Sequence, residues 1–112
     1  MEKVYRQGDV VMLADQYIAP EELGAPIDNL LLAYGESTGH SHRIVEGRAK
    51  LLPLKNPIQR GAATFYFLLR CETEVRLYHE EHPDHVWPIG DHLIGKQGEY
   101  DWLSETIRNV AD

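Results

Sequence analysis

Residues 73–79 of the chain read Thr-Glu-Val-Arg-Leu-Tyr-His and alternate between polar and apolar side chains. Successive side chains of a β-strand point to opposite faces of a sheet, so this alternation predicts a half-buried strand. Val75, Leu77 and His79 share the face that we expect to point into a core. The opposite face carries Glu74, Arg76 and Tyr78.

Short stretches of similar character lie on both sides of this strand. The most strand-like is residues 63–69 (ATFYFLL), which is rich in aromatic side chains. Further strands are expected at residues 10–13, 30–34, 40–45, 49–54, 86–87 and 92–94. Prolines punctuate residues 19–26 and 53–57, which predict surface loops, the first with one helical turn near residues 20–23. Only residues 104–110 are typical of a helix, with Ser104 as its cap.

The composition fits one ordinary globular domain. The chain has 112 residues, 43% of them hydrophobic, so we expect a single β domain over residues 1–112, a small barrel or sandwich. With 11 basic and 18 acidic residues the net charge is −7, which argues against a nucleic-acid partner. One cysteine, Cys71, excludes an internal disulfide. The sequence shows neither an apolar membrane span nor a signal core, so the expected location is cytoplasmic.

Histidine is the residue whose placement suggests chemistry. His40 and His42 are two residues apart, which puts both imidazoles on one face of a strand. His79 ends the buried face of the strand at 73–79, and His82 follows it closely. Imidazoles that share a buried face are difficult to satisfy with hydrogen bonds alone, and a shared metal ion removes that difficulty.

His79 and His82 face opposite sides of a strictly extended strand. Both can therefore bind one ion only if the chain turns or bulges at Glu80 and Glu81. These two carboxylates are the candidate catalytic groups, because a carboxylate beside a metal can bind it, orient a histidine or act as a general base. We expect His85 to be an ordinary residue of an exposed turn.

The histidine pair also resembles the metal motif of the cupin family, approximately G-x5-H-x-H-x3-4-E and later P-x-G-x2-H. The matching residues here are Gly35, His40, His42 and Glu46, followed by Pro88, Gly90 and His92. The first spacing is one residue short, no glycine follows Glu46 at the usual place, and the second motif lacks one residue. The resemblance implies that Glu46 or His92 could replace one of the four ligands, and it implies a cupin-like fold.

A fuller resemblance is to a group of short uncharacterised bacterial and phage proteins. The shared features are Arg6-Gln7-Gly8-Asp9-Val10, the Gly35 to His42 segment with its G-E-x-T-G-H-x-H pattern, and His79-Glu80-Glu81-His82. Pro88, Gly90, Gln97 and Glu99-Tyr100 complete the pattern. His79 and His82 belong to this pattern, whereas His85 and His92 do not. The group carries no known activity, so the resemblance refines the ligand set without implying a reaction.

These observations together predict an all-β, cupin-like protein that binds one metal ion. The expected ligands are His40, His42, His79 and His82, and the expected ion is zinc, iron or nickel. An open coordination position would make the protein a small metal-dependent enzyme acting on a small molecule. Two alternatives stay open, a non-catalytic metal-binding or sensing module and a β interaction protein without metal. Neither a membrane nor a nucleic acid is an expected partner, and the choice between monomer and homo-oligomer is open.

Overall fold

The computed structural model describes residues 3–27, 31–34, 41–80 and 82–97. These residues form nine strands and one short 3₁₀ helix at Pro20–Glu22. The strands are β1 (Val4–Gln7), β2 (Val10–Leu13), β3 (Leu31–Tyr34), β4 (Ser41–Glu46), β5 (Ala49–Arg60), β6 (Ala63–Cys71), β7 (Val75–His79), β8 (His82–Trp87) and β9 (Gly90–Gln97).

The strands form two antiparallel sheets. The five-stranded sheet has the order β1, β2, β9, β6, β5, and the four-stranded sheet has the order β3, β4, β7, β8. The predicted all-β class is therefore confirmed, as is the single helical turn near residue 20. The helix expected at residues 104–110 lies outside the described residues. In the part of the chain that the structure describes, no helix is long and apolar enough to cross a membrane.

The core between the two sheets explains the alternation at residues 73–79. Val75, Leu77 and His79 are buried, and the intervening Arg76 and Tyr78 are half-exposed. Side chains from both sheets meet there and form the first core cluster. Its buried members are Val10, Met12, Ala14, Leu51, Leu69, Cys71, Val75, Leu77, Trp87 and Ile94.

The five-stranded sheet is also apolar on its outer face. A second core cluster there consists of Val11, Leu13, Leu52, Phe65, Leu68 and Leu93. All four residues of β2 are consequently buried, because alternate side chains enter opposite cores. This explains why residues 10–13 form a continuous apolar run rather than an alternating one.

Four strand predictions need correction. We expected β5 to end at the prolines, but it continues to Arg60. It is an edge strand, where a missing N–H need not face a neighbour, and its register with β6 shifts between Pro53 and Ile58. β8 begins at His82 rather than at residue 86, and the strand expected at residues 92–94 is the longer β9, Gly90–Gln97. Finally, β1 was not predicted, because its sequence VYRQ mixes apolar and polar side chains, unlike the apolar run of β2.

Candidate functional site

Three imidazoles meet at one end of the four-stranded sheet. The ring of His42 lies 4.2 Å from that of His79 and 6.0 Å from that of His82, measured between centroids. The His79 and His82 rings are 4.6 Å apart. His42 and His79 are 1% and 3% exposed, while His82 is half-buried. We call these three residues the histidine cluster.

A reversal of the chain brings His79 and His82 to the same face. β7 ends at His79, β8 begins at His82, and the two residues are directly opposite each other in the antiparallel register. Residues that are opposite each other across two strands project from one face of a sheet. The condition that the sequence set, a turn between the two histidines, is therefore met. β4 contributes His42 from the other side of β7, because Arg43 pairs with Tyr78.

A turn from the opposite sheet closes over the histidine cluster. β1 and β2 pair with Gln7 opposite Val10, so Gly8 and Asp9 form a tight hairpin turn. Gly8 has φ +60°, a conformation that glycine adopts without strain. A Cβ atom at Gly8 would lie 2.7 Å from His82 Nε2 and 3.1 Å from His42 Cε1. A side chain at this position would therefore push the His82 ring aside, in addition to the strain of the positive φ.

Asp9 presents a carboxylate to the histidine cluster. Its Oδ1 lies 3.3 Å from His42 Nε2, and its Oδ2 lies 3.4 Å from the ammonium of Lys96. With a proton on His42 Nε2, the hydrogen bond from that ring lowers the pKa of Asp9 below its ordinary value; partial burial opposes this shift and the charge of Lys96 adds to it. Asp9 is thus an ionised carboxylate at neutral pH.

Gln7 determines which nitrogen of His42 carries a proton. The buried Gln7 amide donates from Nε2 to the carbonyls of Leu77 (3.1 Å) and Pro83 (2.8 Å). Those two bonds fix the amide orientation, so Oε1 faces His42 Nδ1 at 2.9 Å. An amide oxygen can only accept, and therefore Nδ1 donates. In the neutral ring, the lone pair is then on Nε2, which faces Asp9.

The remaining predicted site residues are placed as follows. His40 and Glu81 lie outside the described residues. The Glu80 carboxylate lies 3.4 Å from the guanidinium of Arg43, which also stacks on Tyr78. Within residues 3–27, 31–34, 41–80 and 82–97, no three His, Cys, Asp or Glu side chains are arranged as they stand to hold a metal ion.

The two alternative ligands from the cupin resemblance have other partners. Glu46 is two-thirds exposed and pairs with Arg76 at 3.1 Å. His92 is fully buried; its Nδ1 accepts from the backbone N–H of Asp15, and its Nε2 donates to the carbonyl of Pro88. His85 does not lie in an exposed turn, as expected, but within β8, half-buried and opposite Leu77.

Sequence reasoning gave no role to Gln7, Gly8 or Asp9. A signal was available, because all three lie in the Arg6–Val10 segment shared with the resembling proteins. Their role could not be deduced from spacing, since they reach the histidine cluster from the other sheet.

Comparison with known protein families identifies the chain over most of its length. The profile of one family, described as a domain of unknown function (DUF8820), matches residues 6–97. The chain belongs to this family. The DUF8820 region includes Gln7, Asp9 and all three members of the histidine cluster, and it ends where β9 ends. No curated protein and no solved structure gives a significant match. Nothing in the comparisons shows a cupin motif.

Proposed function

We propose that this DUF8820 protein binds one divalent transition metal ion at the histidine cluster, with Asp9 as a further ligand. The observation that carries the proposal is the orientation of His42. The Nδ1–H of His42 donates to Gln7 Oε1, and Nε2 of the same ring therefore faces an ionised carboxylate. Histidines that bind metals commonly donate their other ring N–H to a carbonyl oxygen in this way.

The separation between His42 Nε2 and Asp9 Oδ1 fits a shared ion. Two ligand atoms that each lie about 2.1 Å from one ion are about 3.0–3.4 Å apart at octahedral or tetrahedral angles. The observed distance is 3.3 Å. A lone pair that faces a carboxylate oxygen is repelled by it, so a cation between the two atoms is stabilising. A proton on Nε2 would serve the same purpose and give a simple ion pair.

The other two imidazoles support the metal over the proton. Three imidazoles on one ion have ring centroids about 4.5–5.3 Å apart, given a metal–nitrogen distance near 2.1 Å. The His79–His82 separation of 4.6 Å lies in this range, whereas the 4.2 and 6.0 Å separations of His42 would each have to change by less than about 1 Å. An ion pair between His42 and Asp9 gives no reason for two more histidines, or for a glycine that leaves His82 Nε2 room. His40 is the fourth histidine that the sequence adds to this set.

The placement of the ligands also supports access for a small molecule. His42 and His79 are buried, but His82 is half-buried and Asp9 is 21% exposed. An ion held there would be buried on one side and reachable from the side of the Gly8-Asp9 turn. A metal with a reachable position supplies Lewis-acid chemistry or an activated water. We propose zinc, iron or nickel as the ion and a small-molecule substrate, with Glu80 and Glu81 as candidate proton-transfer groups.

The test is the metal content of the full chain after incubation with zinc, iron(II) or nickel and removal of free ion. The wild type should retain one ion per chain, located by anomalous scattering between His42 and Asp9. His42→Ala should lower the content at least about tenfold, because a missing ligand costs far more than 1.4 kcal/mol of binding free energy. His85→Ala is the matched control, because His85 is a half-buried histidine on the same strand as His82.

Two outcomes would contradict the proposal. One is full metal occupancy in the double variant His42→Ala/His82→Ala. The other is a wild type that retains no ion, together with a destabilisation by His42→Ala that is the same with and without chelator. The second result is what a simple ion pair between His42 and Asp9 predicts.

A further inference from the structure

A groove crosses the outer face of the five-stranded sheet. It has a volume of about 250 Å³, and its apolar lining includes Val4, Val11, Leu13 and Phe65. The hairpin between β5 and β6 forms one wall through Arg60, Ala62 and Ala63, and Gln97 lies at its end. We call this feature the outer groove. It is distinct from the histidine cluster, because Val11, Leu13 and Phe65 belong to the second core cluster.

The outer groove lies next to a position where the middle strand of the sheet has no side chain. Val11 of β2 pairs with Gly95 of β9, which in turn pairs with Phe65 of β6. A Cβ atom on Gly95 would overlap the carbonyl oxygen of Thr64, so this position requires glycine. The two apolar side chains on either side therefore border a gap.

Only part of the second core cluster is covered within the described residues. Ile18 and Leu23, which lie before β3, pack on it together with Leu54 and Ile58 of β5. At the groove the apolar surface is open, and Val4 is 56% exposed. Exposed Arg6 and Arg60 add positive charge at its rim. The occupant that this surface fits is an apolar segment with negative charge.

We propose that the outer groove binds residues 98–112 of the same chain. β9 ends at Gln97, which lines the groove, and residues 98–112 follow it directly in the chain. The remaining 15 residues carry apolar side chains at helical spacing, Trp102, Leu103, Ile107 and Val110. Four acidic residues against one arginine make this segment negative, opposite in sign to Arg6 and Arg60.

The length of the segment also matches the groove. Measured along β9 from Gln97 to Leu93, the groove is about four residues long, or roughly 13 Å. A helix over residues 104–110, with a few residues on either side, covers about the same distance at 1.5 Å per residue. The C-terminal segment would complete the second core cluster where the residues before β3 leave it open.

Trp102 provides a direct readout in the full chain, because the only other tryptophan, Trp87, is fully buried. Subtracting the signal of Trp102→Phe gives the acrylamide quenching of Trp102. Docking predicts a quenching constant close to that of Trp87. Val4→Glu should raise it at least about threefold, because an added carboxylate repels the acidic segment and wets the groove. Val86→Glu is the control, because Val86 is similarly exposed (52%) but lies on the four-stranded sheet.

Arg6→Glu is a second variant that leaves the apolar lining intact, and it should also raise Trp102 quenching. A circular dichroism spectrum and a melting curve identify any variant that fails to fold. The proposal is overturned if Trp102 in the wild type is quenched as strongly as in a free peptide of residues 98–112. It is also overturned if the protection falls on dilution together with the loss of a dimer, because the groove would then hold the segment of a second copy.

Discussion

His92 and His42 are buried to the same degree, at 0% and 1% exposed, yet their surroundings differ in kind. Both ring nitrogens of His92 meet backbone groups, the N–H of Asp15 and the carbonyl of Pro88. At His42, one nitrogen meets the Gln7 amide oxygen, and the other faces the Asp9 carboxylate with two more imidazoles nearby. Both hydrogen bonds of His92 are satisfied by a neutral ring. At His42, by contrast, Nε2 requires a proton or a cation, because it faces a carboxylate.

The difference shows that burial does not identify a functional histidine, whereas its partners do. A histidine that is satisfied by two backbone groups stabilises the strands and loops that supply them. A histidine whose lone pair faces an anion is arranged for a positively charged species. For this reason we do not propose His92 as a ligand, although the sequence motif alone favoured it.

The largest expected effect is the stabilisation of the fold by an ion bound at the histidine cluster. If one ion is bound, saturation at a hundredfold excess over Kd adds about 2.7 kcal/mol to the free energy of unfolding. For a domain of this size, that corresponds to roughly 10–20 °C in Tm. Chelator should remove this increment at neutral pH. Thermal melts with and without chelator measure it directly.

The same thermal melts at pH 5 test whether the stabilisation depends on neutral imidazoles. Imidazoles bind metal only when neutral, and their ordinary pKa is about 6.5, so protons compete with the ion below that pH. The Asp9 carboxylate, whose pKa is lowered, stays ionised through this range. The increment is therefore present at neutral pH and lost as pH falls toward 5. Identical melting curves under all four conditions would contradict a stabilising ion.

A smaller effect is expected from His92→Ala, which tests the other side of the comparison. The substitution leaves the Asp15 N–H and the Pro88 carbonyl without their partner, at a cost of about 2 kcal/mol in the free energy of unfolding. Metal content should stay at the wild-type value. Denaturant titration together with elemental analysis checks both expectations, and a loss of metal in the folded variant would make His92 a ligand after all.

The smallest effect concerns Cys71, a buried titratable group without a hydrogen-bonding role among the described contacts. Burial, with a contribution from Asp91, raises the pKa of its thiol from 9.0 to about 12. The folded state therefore keeps a proton that the unfolded chain releases, so stability is full below pH 9 and falls as pH rises toward 12. At pH 9.5 the loss is about 0.8 kcal/mol.

The control is Cys71→Ser, which has no thiol to titrate. The difference in unfolding free energy between wild type and this variant should shrink between pH 8 and pH 9.5, as measured by urea titration. A constant difference would mean that burial does not hold the thiol protonated. Cys71 thus shows mainly the effect of burial, whereas the behaviour of His42 and His92 depends also on their hydrogen-bond partners.

The sequence predicted the parts of the molecule that depend on local pattern. Alternation placed His79 on the inner face of β7, and the Glu80-Glu81 turn was the stated condition for adding His82. Asp9 and Gln7 escaped prediction because they belong to the other sheet, and no local pattern encodes how two sheets pack. The continuation of β5 through Pro53 depended on an edge position that only the strand order reveals.

Gln7 joins parts of the chain that are far apart in sequence, with partners 35, 70 and 76 residues away. Closing such long loops is an unfavourable and slow part of folding. The His42 orientation is consequently set only after both sheets have formed and met, so neither the β7–β8 hairpin nor a chain truncated before Pro83 contains the complete site. If the proposed ion binds, full affinity during synthesis requires Pro83 and also β9, which joins β1 and β2 to the rest of their sheet. Metal uptake would then report the last step of assembly.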